Sequence, residues 1–272
     1  MGWVDRLVRR TFDFLKHHTA MHYWHVRFRA AGIHLALSLV VAALAAGLVF
    51  GVWYPYPYRD ISGGRELVLL LITVDVALGP LMTAVVFNVA KPRSELRRDL
   101  GVVALIQLAG LAYGLWTVCI ARPVHLVFEI DRFRVIHAVD VPADLVDKAP
   151  PGVEALPLTG PTLLAVRAFH DQREETDATM AALQGVQLGA RPDLWQPYSA
   201  ARESVLQAAR PVDELRSLVG ARAGEVDAVL ARAGRQAAST AYLPLVGRKS
   251  FWTVFVDPTT AQVVAFMPLD SF

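Results

Sequence analysis

From residue 30 to residue 58 this chain contains no lysine, arginine, aspartate or glutamate, and the same blank recurs over 100–121. Between the two lies a third apolar run, 67–90, interrupted by one charge, Asp75. Each run is long enough for a helix of roughly 30 Å, the thickness of a bilayer's hydrocarbon core. Lipid offers backbone N–H and C=O groups no partner, so such runs are read as spanning helices. The chain reads as a membrane protein with spans at about 33–54, 67–90 and 100–121. That reading excludes most soluble enzymes.

The mean hydropathy of +0.37 averages two unlike halves. Beyond Arg122 charges, prolines and glycines are spread as in a soluble protein. The expected organisation is a cytoplasmic amphipathic segment over 1–30, a three-helix membrane module over 31–121 and a periplasmic α+β domain over 122–272. A net charge of +2, without a basic stripe, excludes nucleic acid as a partner. Cys119 is the single cysteine, so no internal disulfide can form. The first run outlasts an apolar signal-peptide core and ends in Val52, Trp53 and Tyr54 without a small-residue cleavage site, which favours an uncleaved span.

Basic residues near span ends resist translocation. Arg6, Arg9, Arg10, Lys16, Arg27 and Arg29 precede span one, and Lys91, Arg93, Arg97 and Arg98 follow span two, against only Arg59 and Arg65 between spans one and two. The N-terminus is therefore expected in the cytoplasm and the C-terminal half in the periplasm of a bacterium; Arg122, Arg132 and Arg134 count mildly against this. Trp53, Tyr54, Tyr56 and Tyr58 fit an interfacial aromatic belt at the outer end of span one. Val4, Leu7, Val8, Phe12 and Leu15 recur at helical spacing, predicting a short helix on the inner membrane surface or one that docks a partner.

In the soluble half, 124–136 predicts one long strand or two short ones, and 163–169 another. Helical periodicity marks 173–183, 193–209, 212–219 and 224–233. Two alternating runs, 252–256 and 262–267, flank an Asp-Pro turn and predict a β-hairpin.

Asp75 is the most conspicuous single residue, because an ionisable group at mid-membrane is costly and points to function. Gly79 and Pro80 follow one turn later, where proline frees a carbonyl and can kink the helix. Polar partners for Asp75 are available at His34, Ser38, Thr73, Thr83, Gln107 and Tyr113. Asp75 then fixes helix register, binds a partner helix, or serves catalysis or ion passage; aspartyl chemistry would need a second carboxylate, and no other span has one. His18, His22 and His25 share a helical face at metal-ligating spacing, but no cysteine or firm carboxylate ligand accompanies them, and a juxtamembrane role is the simpler reading. Haem would need a second intramembrane histidine facing His34, and the spans hold none. No phosphate loop, dinucleotide fingerprint or nucleophile elbow occurs. Glu174, Glu175, Asp177, Asp213, Glu214 and Glu225 read as solvated helix faces. No metal or cofactor is expected.

Longer strings carry a resemblance. GIHLALSL (32–39), WYPYPY (53–58), TVDVALGPLMTAVVFN (73–88), KPRSELRRDL (91–100), LIQLAGLAYGLWTV (105–118), ARPVHLVFEIDRFRVI (121–136) and LPLVGRKSFWTVFVD (243–257) resemble the TfpX/TfpZ family of type IV pilin accessory proteins. The resemblance covers the membrane module and both edges of the soluble domain but not 140–240. It implies a bacterial inner-membrane protein, not an enzyme, that assists assembly of the major pilin, and it assigns no role to Asp75, Gly79 or Pro80. Small residues at Ala42, Ala43, Ala45, Ala46 and Gly47 would let another helix approach span one closely. The expectation is that the spans hold the pilin's helix and the outer domain its head. Two alternatives stand beside it. One is a scaffold bound to assembly-platform proteins. The other is an envelope enzyme, for which the first outer loop offers only Arg59, Asp60, Arg65 and Glu66.

Overall fold

The computed structural model describes residues 3–88 and 91–272, with side chains from Trp24 onward. It forms two compact units, one from the chain up to Gly47 with Leu67–Trp116, the other from Leu48–Glu66 with Thr117–Phe272.

The first unit is helical. Helix α1 runs unbroken over Trp3–Leu48 and passes into a π-helical turn at Val49–Trp53. The expected short N-terminal helix is therefore not a separate element, since no proline interrupts the chain before residue 55. The short helix α2 (Tyr58–Ile61) lies in the following loop and belongs to the second unit; α3 (Gly64–Val86) and α4 (Arg93–Ile120) come after it. Helix α3 thus ends before the expected limit of 90. Helix α4 starts well ahead of its apolar run, because the Pro92 carbonyl accepts the first helical bond from Leu96 N–H. Among the described residues, three helical segments are long and apolar enough to cross a membrane: Trp24–Trp53, Gly64–Val86 and Arg93–Ile120. Leu44, Leu70, Val85 and Leu105 point outward, each about two-thirds exposed or more. In water that much bare apolar surface is untenable; in lipid it costs nothing.

The second unit is a mixed sheet with helices. Its strands are β1 (Pro123–Glu129), β2 (Arg132–His137), β3 (Thr162–Val166), β4 (Trp195–Pro197), β5 (Arg210–Pro211), β6 (Ala241–Val246), β7 (Phe251–Val256) and β8 (Val263–Met267). Their order is β4-β3-β1-β2-β6-β7-β8, with β5 also beside β6; β1–β3 and β2–β6 are parallel and the other pairs antiparallel. Strand β1 is buried along its whole length, which explains its nearly continuous apolar run. Leu126 and Phe128 face one core with Leu243, Leu245, Trp252 and Val254, while Val124 and Val127 face another with Leu164 and Trp195. Helix α6 (Arg202–Ala208) packs on the first face through Val205. Helices α7 (Val212–Val219) and α8 (Ala223–Arg232) close a third core with Tyr242 and Phe255. Helix α5 (Gln172–Leu183) is capped by Asp171, whose side chain accepts from Glu174 N–H.

The region expected as a single helix over 193–209 is broken: Trp195–Pro197 pairs with β3 instead, and Pro197 can neither continue nor donate to a helix. Strand β6 is an element that periodicity hides, since Pro244 interrupts it. Pro244 falls between the residues paired with β5 (Ala241, Tyr242) and those paired with β2 (Leu245, Val246). The β7–β8 hairpin is held by Asp257, whose carboxylate accepts from the N–H groups of Thr259 and Thr260.

The loop after α1 needs the largest revision. Tyr54 is fully buried and donates its hydroxyl to Val118 O at 3.1 Å. Tyr58 packs edge-on to Phe266, and Ile61 is a core residue with Phe128 and Leu245. Gly247 is open for this reason, because a Cβ there would lie 2.6 Å from Ile61. Tyr56 stays exposed. Tyr54, fully buried, and Tyr58, half-buried against the core of Phe128 and Leu245, are thus packed within the second unit, where the sequence reading expected headgroup contacts.

Candidate functional site

Within the helical unit, one face each of α1 and α4 meets the middle of α3 around a groove of about 620 Å³. Helix α1 presents Ala30, His34, Leu37, Ser38 and Val41, and α4 presents Leu100, Ala104, Gln107, Leu108 and Leu111, both with three-and-four spacing. Asp75 and Thr83, two turns apart on α3, supply the polar wall.

Of the residues singled out in the sequence, His34, Asp75 and Gln107 line this groove together with Ser38 and Thr83. His34 Nδ1 lies 2.5 Å from Thr83 Oγ1, tying α1 to α3. Gln107 Nε2 donates to the backbone carbonyl of Asp75 at 3.2 Å, tying α4 to α3. Gly79 is buried beneath the Gln107 side chain, and a Cβ at this position would collide with it. Glycine is what lets Gln107 reach across. Pro80 lies inside α3 one residue on and leaves the Val76 carbonyl without its helical donor. Thr73 bonds back to Leu69 O within its own helix, and Tyr113 lies tilted against Trp116; neither lines the groove.

The Asp75 carboxylate differs from its neighbours. Among the described residues none gives it a hydrogen bond or an ion pair; only its backbone carbonyl is engaged. The arrangement is a largely apolar channel with one carboxylate that no described residue engages.

Elsewhere the buried Ser62 Oγ, His137 Nε2 and Ser271 Oγ have no partner among the described residues, while other polar groups are committed. His125 is fully buried in β1: Nε2 donates to Ala155 O at 3.0 Å, and Nδ1 must then accept from the Thr162 hydroxyl at 2.6 Å. Burial pulls this imidazole down to about 4, against the opposing bond to Ala155. Arg122 is buried and donates to the carbonyls of Cys119, Leu156 and Pro157. Nothing in the pattern of the sequence distinguishes these two from exposed residues. Glu174 pairs with Arg167, which with His170 N–H holds its carboxyl down at about 2; Asp213 pairs with Arg216 and Glu225 with Arg222 on exposed helix faces. In the first loop Glu66 meets Lys249 and Asp60 meets Arg59. The side chains of His18 and His22 lie outside those described, and with them the metal reading of His18, His22 and His25.

The family model of the fimbrial assembly protein FimB matches residues 22–63, a stretch holding His34, the buried loop residues Tyr54 and Ile61, and the half-buried Tyr58. The chain is 36% identical over 246 residues to the fimbrial assembly protein of serogroup I of Dichelobacter nodosus, covering 90% of this chain and 95% of the relative. The serogroup E1 protein of the same organism is 35% identical over the same length and shares. The protein of serogroups C1 and C2 is 43% identical over 122 residues, 45% of this chain and 91% of the relative. No solved structure matches the chain. Identity sustained from the membrane helices through the sheet unit leaves one assignment: the chain belongs to the fimbrial assembly protein family.

Proposed function

We propose that this protein is a non-enzymatic accessory of fimbria biogenesis, of the TfpX/TfpZ type, that holds a type IV pilin subunit in the inner membrane before assembly. The spans would hold the pilin's apolar helix and the sheet unit its head. The observation that carries this reading is the groove of α1, α3 and α4, an apolar channel three helical turns long with an uncommitted acid. Helix-in-groove binding uses such a surface, with anchors at helical spacing. The relatives' description as fimbrial assembly proteins supports the biological setting. The distribution of basic residues supports a cytoplasmic N-terminus and a periplasmic sheet unit. Arg122, which counted against that orientation, is buried and spent on backbone carbonyls.

The test is photo-crosslinking in the native membrane, with reactive residues at Leu37 and Leu108 in the groove and at exposed positions on the sheet unit. Capture of the major pilin at both sets of positions supports the holding role. Capture of assembly-platform proteins without pilin would replace it by a scaffold.

A further inference from the structure

We propose that the end of the sheet unit from which the spans depart binds anionic phospholipid headgroups. Arg65 and Arg248 meet the negative charge, and Tyr56, Phe251 and Phe272 enter the headgroup layer beside them. The inference is independent of the holding role, since it concerns another surface and another ligand.

Chain connectivity fixes where this surface lies. Span one ends at Trp53, span two opens at Gly64 and span three ends at Ile120, and all three ends belong to the sheet unit. Strand β1 begins at Pro123, directly after span three, and Pro123 pairs with His137 at the end of β2. Because β2 and β6 are parallel, the β6–β7 turn Gly247–Ser250 falls at this same end. The Lys249 ammonium meets the Glu66 carboxylate at 2.6 Å, and the lysine stem lies against Gly63, so the turn is fastened to the first residues of α3. Residues at the mouth of a span sit at headgroup depth.

Charge and exposure indicate the ligand. Arg65 and Arg248 are each next in the chain to a member of that ion pair. Both are exposed, with no hydrogen bond or ion pair among the described residues. The carboxylates nearby are engaged: Glu66 with Lys249, Asp60 with Arg59, Asp140 with His137, and Asp270 with the Phe272 N–H. Three aromatic rings stand out at the same end. Tyr56 is 65% exposed, with the Arg59 guanidinium 5.6 Å from its ring centre. Phe251 directly follows the turn and meets Phe272 edge-on at 5.1 Å, each of them 48% exposed. Exposed rings beside unanswered cations suit an anionic membrane surface, which takes the rings at its interface and attracts the charge. A free anion in water would gain little from two exposed cations, whereas a headgroup is held beside them by the bilayer itself.

The purified full-length protein, carrying photoreactive benzoylphenylalanine in place of Phe251, is reconstituted in vesicles of equimolar phosphatidylglycerol and phosphatidylcholine. Lipid captured on illumination is identified by mass spectrometry. Phosphatidylglycerol is expected to be captured about fivefold better than phosphatidylcholine. Arg65→Gln combined with Arg248→Gln is expected to abolish the preference, and Arg65→Lys combined with Arg248→Lys to retain it. Retention by the lysine pair shows that the loss is not misfolding. The same probe in place of Ile130, exposed at the opposite end of β1, is expected to capture no lipid. Equal capture of the two lipids at Phe251 would overturn selection of anionic headgroups. A preference that survives the glutamine pair would overturn the arginine assignment, and one removed by inorganic phosphate at matched ionic strength would make the ligand a free anion. Capture of a second copy of the chain in place of lipid, or of nothing, would overturn the membrane contact itself.

Discussion

His125 in the sheet unit and Asp75 in the membrane unit both place an ionisable group among apolar side chains, and their surroundings differ in one respect. Each ring nitrogen of His125 has a partner within 3.0 Å, and Trp195 meets the ring edge-to-face with centroids 4.5 Å apart. The Asp75 carboxylate has none among the described residues. A completed network of this kind stabilises a fold, because removing any member leaves another buried and unpaired. An incomplete one is costly to carry and persists where something else completes it.

The contrast can be broken most directly by substitution. His125→Leu is expected to cost about 3 kcal/mol, leaving Thr162 and the Ala155 carbonyl without partners. Asp75→Leu is expected to leave unfolding unchanged or slightly raised, while surface fimbriation collapses. Urea unfolding of both full-length variants in detergent checks this, and a loss above about 2 kcal/mol for Asp75→Leu would make that residue structural.

Acid sharpens the same point. The folded His125 lies near 4 and an unfolded histidine near 6.5, so the fold favours the neutral ring. Its contribution is complete above about pH 6.5, declines as pH falls, and by pH 4 has fallen by roughly 3 kcal/mol. Glu174, held near 2, loses its contribution only below about pH 4, so the two are separable. A stability profile from pH 7 to pH 4 that is as steep in His125→Gln as in the parent would refute the assignment.

Smaller effects follow for pairs that link elements without enclosing a charge. Thr83→Val removes the tie to His34 and is expected to cost about 1 kcal/mol, as polar contacts between membrane helices commonly do. Arg222→Ala, which breaks an exposed pair with Glu225, is expected to change stability by less than about 0.5 kcal/mol. A large effect at Arg222 would mean that its helix docks on something.

The membrane helices are legible in the chain because absence of charge is a signal that no tertiary contact can override. The sheet is legible where alternation or continuous burial is strong, as in β1, β2, β7 and β8. It is hidden at β6, where Pro244 sits at a change of strand partner, and over 193–209, where Pro197 ends a helical pattern that composition supports. The residues around the groove are visible as polar interruptions of apolar runs. Which of them meet depends on how each helix is rotated, and that is why Thr73 and Tyr113 are indistinguishable from Ser38 and Thr83 in sequence. The placement of Tyr54 and Tyr58 was obscured for a different reason: an aromatic cluster after a span suits the headgroup layer as well as it suits a protein core.

That last placement makes the sheet unit discontinuous in the chain. Its core includes Ile61, synthesised before α3 and α4, whereas the strands that surround it follow both helices. During translation the Tyr54–Ile61 segment must wait, unsheltered, until two further spans are inserted and the sheet closes on it. A fragment beginning at Arg122 would contain every strand and still lack part of its interior. Completion of the sheet's interior therefore depends on a segment that precedes both later helices in the chain.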